Sequence, residues 1–483
     1  MAQKWQEKIK IVLLFLLAIT PFLIFSSLLY LKDPLPWPDE GIFLDIANNF
    51  STKGTFSTIL FKDTIPGMSQ YAVWQPPMYS YFLSIWTNTF GTSIIAVRAL
   101  SLLLGIFSLA VFFLIAKHIF NTYYYATLAT LLLSIDPNFN QSSRIGRMDI
   151  LAFFFILCSF LIILNALNST NKKLYLCSGI FCSLAILSHV IALLAPAIIA
   201  LSILLSSIKF REKVNAILFF SLPVALGFVI WFLTIIKTLN IFIAQMQMHL
   251  AKKAAVKSWV LHRWGDGQWQ ILIILCLIAL FIFALHVYKN RSLKNYFLLA
   301  GFIISATTVI FSKEQWYFLY FQPFLALILI SLLKNAKEES GIIKQTGIYT
   351  LLLIIAFISF NIIFSKMIIY NSNFNFASFT KNISENIEPN STVFLSVIPD
   401  PYLALRGKNG LKFYEFPPGP TQLDKYRGIL NSSDYIVLNA LFVFPDYTEQ
   451  YLEKNSLSSK IIGEYSGYKT KIFKLKPPNQ RGF

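Results

Sequence analysis

The sequence predicts a membrane all-α bundle of about eleven transmembrane helices, with amphipathic helices in its first outer loop and a small C-terminal α/β extracytoplasmic domain. Three observations carry this expectation. Hydrophobic residues make up 56% of the 483 and charged residues only 13%, about half of the ~25% charge a soluble domain carries. Apolar blocks recur from residue 11 to residue 365, which makes the chain polytopic rather than singly anchored. Beyond residue 365 the pattern changes to short alternating runs separated by polar turns, the signature of strands and short helices in water.

The candidate spans are 11–31, 94–116, 122–136, 149–166, 174–188, 190–207, 215–236, 268–288, 296–311, 316–333 and 346–365. The first follows MAQKWQEKIK and closes without a small-residue cleavage pattern, so it reads as an uncleaved span and not as a signal peptide. Several of the others fall short of the ~20 residues that a bilayer asks for. Short spans are tolerable where a bundle lines a cavity. The net charge of +18 does not point to nucleic acid, because its basic residues sit in short runs between spans. Lys4, Lys8 and Lys10, and the loops 117–121, 167–173, 208–214, 289–295 and 334–345, carry the lysines and arginines that the positive-inside rule assigns to the cytoplasm. The N-terminus is then cytoplasmic and the C-terminus outside, as expected of a multi-pass protein of the bacterial inner membrane. Residues 1–365 form the membrane domain and 366–483 the extracytoplasmic one. In that tail STVFLSVI, DYIVLNALFVF and IIGEYSGYKTKIFKL read as strands, YTEQYLEKNSL as a helix and EFPPGP as a turn or loop. Cys158, Cys177, Cys182 and Cys276 lie in apolar stretches with neither disulfide nor zinc spacing.

The polar residues that topology leaves unexplained gather on the predicted outer side. The loop 32–93 opens with PLPWPDEGIFLDIANNF, where a helix begins near Pro38 or Asp39. Asp39 and Glu40 suit an acidic first turn, or an acidic pair held in a cavity at the bilayer surface. The same loop continues WQPPMYSYFLSIW, a rigid Pro76–Pro77 turn before an interfacial helix, with Gln75 just ahead of it. Arg98 enters the second span, where it faces protein or water, or snorkels to the surface. DPNFNQSSRIGRMDI carries Arg144 and Arg147 against the charge rule, and Asp149 opens the fourth span. Two arginines and an acid at one membrane face suit a phosphate or diphosphate. His189 stands at an outer turn, as a hydrogen-bonded turn residue or a site residue. Lys313 precedes WYFLYFQPF, as an interfacial anchor or a lipid-phosphate ligand.

In this order the acidic pair, the aromatic Pro–Pro segment, Arg98 within RALSLLLG, the RMD at the fourth span and the basic residue before WYFLYFQPF resemble the polytopic glycosyltransferases of the C superfamily. The branch is that of the protein O-mannosyltransferases and lipid A aminoarabinose transferases, and the resemblance covers residues 11–335. It implies transfer of a sugar from a polyprenyl-phosphate-linked donor to a protein, lipid or glycan acceptor at the outer face of the membrane; a related ligase would transfer an oligosaccharide but carries a larger outer domain, so the short tail 366–483 favours a single sugar, hexosyl or pentosyl. It assigns Asp39 as catalytic base, with Glu40 and Asp149 supporting the acceptor or a divalent cation such as Mg or Mn. Asp39 and Asp149 are the candidate metal ligands, and no organic cofactor is expected. Arg98, Arg144, Arg147 and Lys313 fall to the donor phosphate. Where the mannosyltransferases have a histidine and the aminoarabinose enzymes a lysine, this chain has Gln75, which can hydrogen-bond a phosphate but adds no charge. The chemistry agrees: inversion needs one carboxylate to take the acceptor proton, while a phosphate leaving group needs cations rather than an acid. A secondary transporter would show inverted repeats and mid-membrane charges, which the sequence lacks. A membrane scaffold presenting the tail would leave the Asp39, Arg98 and Asp149 pattern without a purpose.

Overall fold

A backbone in lipid must satisfy its own hydrogen bonds within the segment, which makes a helix of each apolar run. The computed structural model describes residues 2–62, 64–169, 171–206, 208–255, 267–290, 292–312, 314–338, 342–371, 375–415, 427–439, 447–465 and 468–482. It begins with α1 (Ala2–Leu29), followed in the first predicted outer loop by α2 (Pro38–Lys53) and α3 (Met78–Phe90). Next come α4 (Ile94–Phe120), α5 (Tyr123–Ser134), the short α6 (Pro137–Ser142), α7 (Met148–Ser169), α8 (Lys172–Ser188) and α9 (Leu194–Leu205). The series continues with α10 (Phe210–Ile235), α11 (Leu239–Ala255), α12 (Gly267–Lys289), α13 (Leu293–Ser312), α14 (Phe318–Glu338) and α15 (Ile342–Asn371).

A helix thus stands at each predicted span, but length and apolarity do not bring the count of membrane crossings to eleven. Among the described residues six stretches are long and apolar enough: Trp5–Leu29, Ile94–Phe120, Met148–Ser169, Phe210–Leu250, Leu293–Ser312 and Phe318–Ala336. Val190–Leu205, Ile274–Lys289 and Tyr349–Ser365 are apolar but shorter. The reason is plain at α5, whose 12 residues rise only about 18 Å against a hydrocarbon core of about 30 Å. Leu17, Leu222, Leu226, Phe281, Phe311 and Leu353 are exposed on the helices, as side chains facing lipid are. This is a multi-pass membrane protein.

After α15, α16 (Phe376–Glu385) leads into a five-stranded sheet: β1 (Thr392–Ser396), β2 (Lys412–Glu415), β3 (Tyr435–Leu438), β4 (Ser456–Tyr465) and β5 (Tyr468–Leu475). Their order is β2-β1-β3-β5-β4. β1 runs parallel to β2 and β3, while β5 is antiparallel to β3 and β4. Three short helices join the strands: α17 (Tyr402–Leu405), α18 (Arg427–Ser432) and α19 (Tyr447–Asn455). β2 is a strand that periodicity does not reveal, since its four residues KFYE run into the expected EFPPGP loop. Phe416–Pro420 of that loop lie outside the described residues.

α2 is shared by two cores. Phe43, Leu44 and Ala47 pack into the large apolar core of the helical bundle. Ile42 and Ile46 pack instead with Val393, Leu395, Tyr402 and Phe413 of the sheet region. The helix carrying the acidic pair is therefore held from both sides.

Candidate active site

α2 begins at Pro38, whose missing N–H and fixed φ suit a first helical position. Glu40, two residues on, turns back and accepts a hydrogen bond from the Trp37 N–H at 3.0 Å, as a glutamate at the third position does. The rest of its carboxylate is filled by Arg98 Nε (2.8 Å) and Nη2 (2.7 Å) and by the Gly146 N–H (2.8 Å). Arg98 Nη1 donates in turn to the Tyr30 and Pro34 carbonyls, each at 2.8 Å. Both side chains are shut off from solvent. Gly146 permits this approach, because a Cβ there would stand 2.3 Å from Val97 Cγ1 and 3.2 Å from Glu40 Oε1. Arg144 is similarly enclosed, donating to the Asp33 carbonyl (3.0 Å), Asn140 Oδ1 (3.2 Å) and Asp33 Oδ2 (3.4 Å). A buried guanidinium must direct its donors at acceptors. The geometry thus encloses Glu40, Arg98 and Arg144 among protein partners, against the direct contact with acceptor or phosphate expected of them.

Arg147 is arranged differently. Its Nη1 donates to the Asp39 carboxylate and its Nε to Asp149 Oδ2 at 2.9 Å. One guanidinium therefore unites two acids from separate elements, Asp39 lying 108 residues from Arg147 in the chain. Asp149 is buried, whereas the Asp39 side chain is 33% exposed. The guanidinium carbon lies 4.7 Å from the centre of the Trp316 ring, within cation–π range, and Trp316 meets Trp37 edge-on at 6.0 Å. The Tyr320 hydroxyl donates to the Asp149 carbonyl at 3.2 Å. Asp149 Oδ1 is buried and has no hydrogen-bond partner among the described residues.

His189 joins this cluster: its ring lies 5.4 Å from that of Tyr317. Its Nδ1 accepts the Ile191 N–H at 3.0 Å, so it also caps the turn after α8. Gln75 Oε1 is buried with no partner among the described residues. Lys313 lies outside the described residues.

Asp39 and Asp149 do not fit a resident cation as they stand. The positive charge between them is already a guanidinium, and among the described residues no group of three or more His, Cys, Asp or Glu is suited to a metal. A hard divalent ion needs several oxygen ligands.

Sequence reasoning passed over Asp33, Trp316 and Tyr320. Trp316 and Tyr320 lie in the quoted WYFLYFQPF, where only the fold distinguishes an anchor from a ring laid over Arg147. α14 also borders an apolar groove of about 170 Å³, lined by Leu132, Ile135, Phe302, Phe318, Phe321 and Leu325 with Asp136 and Gln322 among them. One helix thus offers Tyr320 to Asp149 and Phe321 to the groove.

Comparison with known proteins bears on this arrangement. The family of dolichyl-phosphate-mannose-protein mannosyltransferases matches residues 74–237. An uncharacterised protein of Aquifex aeolicus is 28% identical over 176 residues, which are 36% of this chain and 34% of that protein. The chain thus spans about a third of the length of that curated relative. ArnT from Cupriavidus metallidurans, solved with undecaprenyl phosphate, has a similar fold: TM-score 0.60 at 13% identity, covering 98% of both chains. AglB, the oligosaccharyltransferase of Archaeoglobus fulgidus, solved with an inhibitory peptide and a dolichol-phosphate, gives 0.57 at 14% identity over 90% of this chain and 70% of its own. The likeness to ArnT and AglB shows a shared fold, and the mannosyltransferase family model matches the part of the chain from residue 74 to residue 237.

Proposed function

We propose that this protein transfers a single sugar, hexosyl or pentosyl, from a polyprenyl-phosphate-linked donor to an acceptor hydroxyl, with inversion. The site would face the outside of a bacterial inner membrane, with the N-terminus cytoplasmic and residues 366–483 extracytoplasmic. The observation that carries the reading is the half-open clamp, in which Arg147 holds a partly exposed Asp39 beside a buried Asp149. The lipid phosphates bound by ArnT and AglB support the donor class.

Asp39 takes the proton of the acceptor hydroxyl as its oxygen bonds to the anomeric carbon. The bond from that carbon to the donor phosphate breaks, and the polyprenyl phosphate leaves as an anion. No acid is needed for such a leaving group; a cation aimed at its oxygens is. Arg147 Nη2 has no partner among the described residues, and is the donor available to a phosphate oxygen. A phosphate drawing on this guanidinium loosens its hold on Asp39 and leaves a carboxylate oxygen open to the acceptor hydroxyl. Asp149 keeps Arg147 oriented throughout. The groove beside α14 takes the alkyl chain, each buried CH₂ contributing about 0.8 kcal/mol.

The test is incorporation of labelled sugar by the purified protein in lipid, supplied with polyprenyl-phosphate sugars. Asp39→Asn is expected to lower kcat about 10²- to 10⁴-fold and the product to have inverted anomeric configuration. Uptake into vesicles without product, indifferent to Asp39→Asn, would overturn the reading in favour of a transporter.

A further inference from the structure

Two carboxyl groups of the sheet region reach the same helix from the other side. Gly41 of α2 follows the acidic pair, and a Cβ built on it would stand 2.8 Å from Tyr402 Cδ1, 3.3 Å from Asp400 Oδ2 and 3.5 Å from Glu415 Oε1. Asp400 and Glu415 are each 3% exposed. Those two oxygens are buried with no donor facing them among the described residues, and both converge on one point beside Gly41, 3.3 and 3.5 Å from it. Two carboxylates cannot bond to each other, and two adjacent buried anions repel strongly. One retained proton removes both difficulties.

We propose that Asp400 and Glu415 form a proton-sharing carboxyl pair that seats the sheet region on Gly41 of α2, making both of them positioning residues for Asp39. The proposal rests on the reading of Asp39 as the base. The seat has four further hydrogen bonds. The Asp400 N–H donates to the Pro36 carbonyl (2.8 Å) and the Glu415 N–H to the Leu60 carbonyl (2.7 Å). The Tyr402 N–H donates to Asp400 Oδ1 (2.9 Å) and its hydroxyl to Asp45 Oδ1 on α2 (3.0 Å). Pro36 is three residues from Asp39, so a shift of the seat moves the start of α2 directly. Tyr402 and the pair also explain why residue 41 is glycine, since any side chain there would lift the sheet region away.

The charged and titratable groups around the pair are mostly acidic. Glu40 acts on Asp400, and Asp39 and Asp45 act on Glu415, all from α2. Tyr402 lies between Asp45, Arg406 and Glu415. Burial above all, then these neighbours, push both carboxyls up, Asp400 to about 7 and Glu415 well above the carboxylate range. One proton held between the two carboxyls serves both, the protonated one donating to the other. The sign of the pH effect follows. The folded pair binds a proton that an unfolded chain releases above about pH 4. Seating is therefore firmest at low and neutral pH, and weakens as pH rises through the deprotonation of the pair.

The experiment follows hydrogen–deuterium exchange of residues 38–53, corrected for intrinsic rate, together with kcat and KM, in the full-length protein in lipid between about pH 6 and pH 9. In the wild type, α2 protection and kcat are expected to fall together above neutral pH, with KM little changed. Glu415→Gln supplies a permanent N–H donor to Asp400 and is expected to extend both plateaus toward alkaline pH. Glu415→Ala is expected to lose α2 protection at every pH and to lower kcat on the order of tenfold to a hundredfold, as small misplacements do. A Glu415→Gln profile that superimposes on the wild type overturns the proposal. This comparison suffices even if the alanine variant does not fold. If no donor yields sugar transfer while the pH step in α2 protection is present and absent from Glu415→Gln, the seat stands and the reading of Asp39 falls.

Discussion

The molecule contains two arginine–carboxylate clamps built on adjacent residues of one helix. In the first, Arg98 and Glu40 are fully enclosed, and Glu40 receives donors from Arg98, Gly146 and Trp37. In the second, Arg147 bridges Asp39 and Asp149, one acid being 33% exposed and the other having a buried oxygen without a partner. The residue types are the same and the sequence positions are neighbours. What differs is whether each polar atom is already occupied. A helix turns about 100° per residue, so the acid that caps α2 is enclosed while its neighbour Asp39 stays partly exposed. The closed clamp orders the chain; the open one leaves lone pairs and a donor for a substrate.

This contrast can be broken by mutation, and the largest effect is on catalysis. Asp39→Asn is expected to cost about 10² to 10⁴ in kcat while the melting temperature in lipid stays close to wild type. A variant that melts far earlier would show that Asp39 also belongs to the scaffold. Next comes Glu40→Ala, which strands the buried Arg98 charge and is expected to destabilise by about 3–5 kcal/mol. Little folded protein should be recovered, and normal yield with a normal melting curve would end the distinction between the clamps. Trp316→Leu removes the ring from Arg147, worth about 0.5–2 kcal/mol; a several-fold rise in the KM for donor is expected, with stability nearly unchanged. The smallest effect sharpens the comparison from outside. Lys381 and Glu385 form a 3.7 Å pair on α16 with side chains 74% and 60% exposed. Reversing either charge should shift stability by only about 0.3–0.5 kcal/mol and leave transfer untouched.

How much of this was legible in the sequence differs from residue to residue. The start of α2 at Pro38 was readable, because proline at a first helical position and acids in the first turn are local signals. The apolar blocks were readable as helices for the same reason. β2 was not, since four residues beside a Pro-rich stretch give no periodicity. Arg98, Arg144 and Arg147 looked alike as charges on one membrane face, and only their surroundings separate them. Nothing near Asp400 or Glu415 in the chain links them to Gly41, more than 350 residues away. That contact exists because Ile42 and Ile46 pack with the sheet region while Phe43 and Leu44 pack with the bundle.

Composition and apolar periodicity alone determined that this chain is a polytopic helical membrane protein with a mixed domain at its end, because burying backbone in lipid leaves few alternatives. Its ordered polar motifs also placed Asp39, Arg147 and Asp149 on one face. Tertiary structure decided which of those charges are closed into the scaffold, which ring covers Arg147, and which distant acids hold α2. These outcomes depend on how many partners each buried polar atom meets in space, a quantity set by packing across the whole chain and written in no local stretch of it.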